Sequence, residues 1–146
     1  MARKPTVLFV CSHNSARSQM AEGWLRHLAG DRYEVHIAGV EPGKLNPLAV
    51  HAMNEVGIDI SGHAAQGVKE YLGHLAVAYL IIVCDKAAQT CPRIWPGMRE
   101  RCFWPFDDPS ATEGTDEQKL AVFRRVRDEI KAKIEGWLAE VEAPAN

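Results

Sequence analysis

The chain has 146 residues with 17 Lys and Arg against 19 Asp and Glu, a formal charge of −2. That length suits one compact domain over 1–146, with 1–4 and 142–146 expected to fray, and the charge leaves no basic excess to grip a nucleic-acid backbone. Its leading apolar stretch, Val7 to Val10, is too short for a signal peptide or a membrane span, so a soluble, cytoplasmic protein is expected.

Thr6 to Val10 is apolar and β-branched and runs into small polar residues, after which helical spacing begins. This predicts strand, loop, helix. Met20, Trp24 and Leu28 recur every four residues with Ala21 and Leu25 beside them, and Gly30 closes the helix. Tyr33 to Val40 reads as a second strand, stopped by Glu41-Pro42-Gly43. Pro47 opens a helix through Ala49, Val50, Met53 and Val56, with Gly57 as its stop. A weaker helical stretch, Val68 to Leu75, leads into the continuous apolar run Val77 to Val83, which suits a central strand covered on both faces. A short strand is predicted around Cys102 to Phe106, then a turn at Asp107-Asp108-Pro109. Thr115 and Gln118 form a capping box, and Leu120, Phe123, Val126, Ile130, Ile134, Trp137 and Val141 follow at threes and fours. Strands alternating with helices imply a three-layer α/β/α domain around a four-stranded parallel sheet. Ligands in such sheets bind beyond the carboxyl ends of strands, where the loops opening at Cys11, Cys84 and Asp107 are expected to converge.

The chemistry is expected in Cys11-Ser12-His13-Asn14-Ser15-Ala16-Arg17. Small residues let this backbone curl round a tetrahedral anion with its N–H groups inward, while a helix beginning near Ser18 adds its positive end. Arg17 supplies a planar fork for two oxygens. The same field favours a thiolate, since cysteines at helix N-termini beside cations reach pKa values of roughly 3.5 to 7.5. Cys11 is therefore the expected nucleophile, with Ser18 placed to hydrogen-bond its sulfur. His13 contributes backbone rather than a base, because a thiolate needs no deprotonating partner. The four cysteines form no Cys-x-x-Cys pair and no His-x-x-x-His occurs, so structural zinc is not expected.

The segment from Cys11 to Trp24 resembles the active-site loop and first helix of the thioredoxin-coupled arsenate reductases, which share the fold of low-molecular-weight protein tyrosine phosphatases. The resemblance extends through Ala38-Gly39, Asn46-Pro47, Gly57 to Ser61, Cys84, Cys91-Pro92, Phe106 to Pro109 and Arg124 to Ile130, nearly the whole chain. It implies an arsenate reductase in which Cys11 attacks arsenate, Cys84 attacks the Cys11 sulfur, and Cys91 then attacks Cys84. The resulting Cys84–Cys91 bridge is reduced by thioredoxin, the expected partner, and no resident cofactor is implied. A general acid falls on Asp108, directly before Pro109, although Asp107 beside it is barely distinguishable in sequence. Seven helical positions between Cys84 and Cys91 would span about 10.5 Å, against Cα separations of about 5.5 to 6 Å in a disulfide, so that segment is expected to change its fold on oxidation. Cys102 has no family role and reads as a packing residue.

Some relatives bind potassium through an asparagine, a glutamate, a serine and an aspartate. Asn14 and Glu22 match, but Ile37 and Gln66 stand in the other two places, which makes that site doubtful here. The competing expectation is a low-molecular-weight phosphomonoesterase or protein tyrosine phosphatase acting through Cys11, Arg17 and Asp108. Against it, Pro109 is followed by Ser110-Ala111-Thr112 rather than by tyrosines. A redox sensor or arsenite-binding module that uses three thiols without turnover is a third reading. The small net charge favours a monomer.

Overall fold

The predicted first strand forms β1 (Thr6–Cys11), and helix α1 (Ala16–Ala29) follows it. The computed structural model describes residues 4–11, 16–39, 46–61, 66–67, 76–83 and 98–142. Among these come β2 (Glu34–Gly39), α2 (Pro47–Asn54), a two-residue β3 (Gln66–Gly67), β4 (Tyr79–Ile82), β5 (Glu100–Phe103), a 3-10 turn (Pro109–Ala111) and α3 (Asp116–Val141). The sheet is parallel throughout, in the order β3-β2-β1-β4-β5. Four of these strands are the expected ones. The fifth is the short β3 pairing at the edge, Ala38 with Gln66 and Gly39 with Gly67, too brief to leave a periodic signal.

Every residue from Val7 to Val10 and from Leu80 to Val83 is fully buried. Successive side chains on a strand face opposite ways, so the two central strands are covered on both faces, as a three-layer fold requires. The expected helix over Val68 to Leu75 lies outside the described residues. Helices α1, α2 and α3 pack on one another, and α1 packs against β1 and β2. Helix α1 starts at Ala16 rather than near Ser18, and it is buried on all sides from Ala16 to Leu25, not along one stripe. Gly23 makes that fit possible: a Cβ there would lie 2.8 Å from Ile60 Cγ2. β5 begins two residues before the predicted strand and ends at Phe103, where its pairing with Tyr79–Ile82 ends, and Pro105 has no N–H to continue the ladder.

Helix boundaries follow their local chemistry. Asn46 caps α2, its side chain accepting from Leu48 N–H at 2.9 Å with Pro47 in the first turn, and Gly57 ends the following turn at φ 80°. Thr115 and Gln118 form the reciprocal capping box expected for α3. No helix of the described residues is long and apolar enough to cross a membrane.

α3 is fastened to α1 and α2 by polar groups. Trp24 Nε1 donates to the Arg127 carbonyl at 3.1 Å, Arg127 Nη1 donates to the Ala52 carbonyl at 3.0 Å, and Arg124 and Arg127 both reach the Glu55 carboxylate. Hydrogen bonding from Arg124, aided by the charges of Arg124 and Arg127, holds the Glu55 carboxyl down at about 2, against an ordinary value of 4.5. A carboxylate with a depressed folded-state pKa contributes stability that is complete above its unfolded value and disappears as pH falls through the folded one. Glu55→Gln is therefore expected to lower the melting temperature by a few degrees at pH 7. It should also flatten the decline in melting temperature between about pH 4.5 and pH 2; parallel wild-type and mutant pH profiles would count against this clasp.

Candidate active site

The chain moves outward from β1 through β2 to β3 on one side of the sheet, then crosses to β4 and β5 on the other. The change of direction falls between β1 and β4, and in open parallel sheets ligands bind beyond the carboxyl ends of the strands at such a point. Cys11 is the last residue of β1, with its backbone in register with Gly39. Val83, just past β4, donates its N–H to the Val10 carbonyl at 3.0 Å and so brings the end of β4 level with the end of β1. Cys84 comes next in sequence. It lies outside the described residues, as do Cys91 and the loop residues Ser12, His13, Asn14 and Ser15.

Beyond the loop, Ala16 and Arg17 are the first two residues of α1, and Ser18 follows, fully buried. Arg17 is unusually enclosed for a charged residue, with its side chain only 10% exposed. Its Nη1 donates to the Phe106 carbonyl at 3.0 Å, and Nη2 lies 3.7 Å from Asp108 Oδ2. Its Nε is buried and has no hydrogen-bond partner among the described residues. A buried guanidinium donor without an acceptor is costly unless an acceptor arrives, and an oxyanion is a natural one.

The strand-to-turn segment after β5 is brought here by backbone bonds. Trp104 N–H donates to the Ile82 carbonyl at 2.7 Å and Phe106 N–H reaches the Val83 carbonyl at 3.5 Å. Asp107 and Asp108 then diverge. Asp107 is turned outward to Arg125, 3.1 Å away, whereas Asp108 is half-buried on the Arg17 side. Sequence reasoning found Arg17 and the aspartate pair. It missed the Phe106 carbonyl and Arg125 as their partners, because neither has a local sequence signature.

The family description "low molecular weight phosphotyrosine protein phosphatase" matches residues 6–146. The chain belongs to this phosphatase family. Within it, an arsenate reductase of Halalkalibacterium halodurans is 49% identical over 132 residues, covering 90% of this chain and 93% of the relative. An arsenate reductase of Bacillus licheniformis is 47% identical over 131 residues, covering 90% and 93%. A solved structure described as an arsenate reductase in the phosphate binding state superposes with a TM-score of 0.78 at 33% identity, covering 94% of this chain and 99% of that one.

Other polar groups of this phosphatase-family chain fall outside the Arg17 cluster. Glu22, one turn beyond Ser18, is buried, and loss of hydration raises its carboxyl to about 7 despite the opposing pull of Arg26. Arg26 Nη2 bridges Glu22 Oε2 at 3.3 Å and the Val35 carbonyl at 2.7 Å. Of the four potassium positions, Asn14 lies outside the described residues, the Gln66 side chain is likewise undescribed, and Ile37 is a buried hydrocarbon that offers no oxygen. Among the described residues no group of three or more His, Cys, Asp or Glu side chains is arranged to hold a metal.

Cys102 packs inside, as expected. Burial first, and a contact with Glu100 Oε1 at 3.4 Å second, push its thiol up to about 12, so it is protonated and inert at neutral pH. It borders a cavity of about 150 Å³ between β5 and α3, walled by Trp104 and Trp137. Glu100, at the amino end of β5, also lines this cavity, which places it at the other end of the sheet from Arg17.

Proposed function

We propose that the chain reduces arsenate to arsenite, and that the enclosed Arg17, with one guanidinium donor unclaimed at the start of the helix that follows strand-end Cys11 in sequence, is the observation that carries this reading. The names of the relatives, arsenate reductases at 47% and 49% identity, select arsenate among tetrahedral anions of that size and charge. Arg17 Nε and the loop N–H groups orient the anion, and the α1 N-terminus stabilises its charge. The Cys11 thiolate attacks arsenic to form a sulfur–arsenic bond, and an arsenic oxygen leaves as water with a proton delivered from Asp108.

The Cys84 thiolate then attacks the Cys11 sulfur. The sulfur–arsenic bond breaks with its electron pair on arsenic, which falls from As(V) to As(III), and a Cys11–Cys84 disulfide remains. The Cys91 thiolate attacks the Cys84 sulfur, which releases the Cys11 thiolate and leaves Cys84–Cys91 as the bridge. Thioredoxin dithiol reduces that bridge, so each turnover consumes two electrons from thioredoxin and needs no resident cofactor. The enzyme works as a cytoplasmic monomer.

A second reading, phosphomonoester hydrolysis, draws support from the 3.7 Å approach of Asp108 to Arg17, an acid beside an anion-binding group. One substitution separates the two. With thioredoxin, its reductase and NADPH supplied, Cys84→Ser is expected to lose arsenate-dependent NADPH oxidation altogether while hydrolysis of an aryl phosphate, where present, persists. Undiminished arsenate turnover in Cys84→Ser would remove Cys84 from the cascade.

A further inference from the structure

The Arg124-Arg125-Val126-Arg127 run in the third turn of α3 divides its labour. Arg124 and Arg127 hold Glu55, whereas Arg125 points the other way. Arg125 Nη2 donates to Asp107 Oδ2 at 3.1 Å, and its Nη1 is held by both oxygens of Glu129, one helical turn on, at 3.0 and 3.1 Å. Glu129 thus fixes the direction of Arg125, and Arg125 fixes Asp107.

Asp107 and Asp108 are adjacent, so the rotation of the peptide between them decides where each carboxylate points. Four restraints meet on this segment. Arg17 holds the Phe106 carbonyl, Arg125 holds the Asp107 side chain, the Ala111 N–H donates to the Asp108 carbonyl at 3.2 Å, and Pro109 is buried. Of these, only the Asp107 contact anchors a side chain of the aspartate pair to α3. With Asp107 drawn outward, Asp108 is left to face Arg17.

We propose that Arg125, braced by Glu129, is a positioning residue that sets the Asp108 carboxyl over the anion site. This rests on the reading of Asp108 as the proton donor. Arg125 and Asp107 are half or more exposed, and ion pairs in that setting are individually weak. Its contribution is geometric: small displacements of a proton donor reduce rate while leaving substrate affinity in place.

The test compares the initial rate of arsenite formation, as kcat and KM for arsenate, in wild type, Arg125→Ala, Arg125→Lys, Asp108→Asn and the double variant. Arg125→Ala is expected to lower kcat about fivefold, with KM and melting temperature nearly unchanged, and Arg125→Lys should recover part of the loss. In the Asp108→Asn background the Arg125→Ala change should cost nothing more, since there is no donor left to position. If Arg125→Ala leaves kcat intact while Asp108→Asn lowers it tenfold or more, the positioning role fails and the proton-donor reading stands. The same holds if the Arg125→Ala loss is equally large without Asp108. If Asp108→Asn itself is harmless, the donor reading falls and the positioning role falls with it.

Discussion

Cys11→Ser is expected to abolish arsenite formation, to below about one ten-thousandth of the wild-type rate. Two physical reasons combine. A serine hydroxyl stays protonated where a thiol beside a helix N-terminus and a guanidinium ionises, so attack on arsenic is lost. The second reason is stoichiometric: arsenic receives its electron pair when a sulfur–arsenic bond breaks in favour of a disulfide, and oxygen cannot take the place of that sulfur. The substitution leaves the backbone pairing of residue 11 with Gly39 available, so the protein should fold and still bind inorganic phosphate. Calorimetric phosphate binding alongside an arsenite assay checks both halves. Arsenite production in the folded variant at more than a few per cent of wild type would end the proposed mechanism.

Arg17→Lys should reduce kcat/KM for arsenate by about a hundredfold or more. Lysine keeps the charge but presents a single ammonium, whereas Arg17 serves the Phe106 carbonyl with Nη1 and keeps Nε and Nη2 on the other side. One group cannot do both. Either the Phe106 carbonyl loses its donor and the Asp107–Asp108 segment drifts, or the anion loses its fork. Because both anion grip and donor placement suffer, KM should rise and kcat should fall, in contrast to the kcat-only effect of Arg125→Ala. A change of less than threefold in kcat/KM would show that Arg17 is not the anion clamp.

Much of the architecture is legible from residue pattern because it depends on local or periodic signals. The capping box at Thr115 and Gln118, the threefold and fourfold recurrence through Trp137, and the unbroken apolar run to Val83 each have one economical solution. The pattern falls short where tertiary neighbours decide. Polar residues at 17, 18, 19 and 22 look like the wet side of a surface helix, yet α1 is covered there by the sheet on one side and by α2 and α3 on the others. Asp107 and Asp108 are equivalent turn formers in sequence. Their difference comes from Arg125, 18 positions later, and from Arg17 near the other end of the chain. A partner that far away in sequence leaves no local signal.

The fastenings of α1 span most of the polypeptide. Trp24 is bonded to a residue 103 positions away, Arg17 to one 89 positions away, and Arg32, just beyond the helix, to Glu142, 110 positions away. During synthesis the first helix therefore leaves the ribosome long before any of these partners exist. Such long-range closure slows folding. A nascent or truncated chain accordingly carries Cys11, the proposed nucleophile, before Arg17 and Trp24 have their partners, and those contacts form only when the last third of the chain docks.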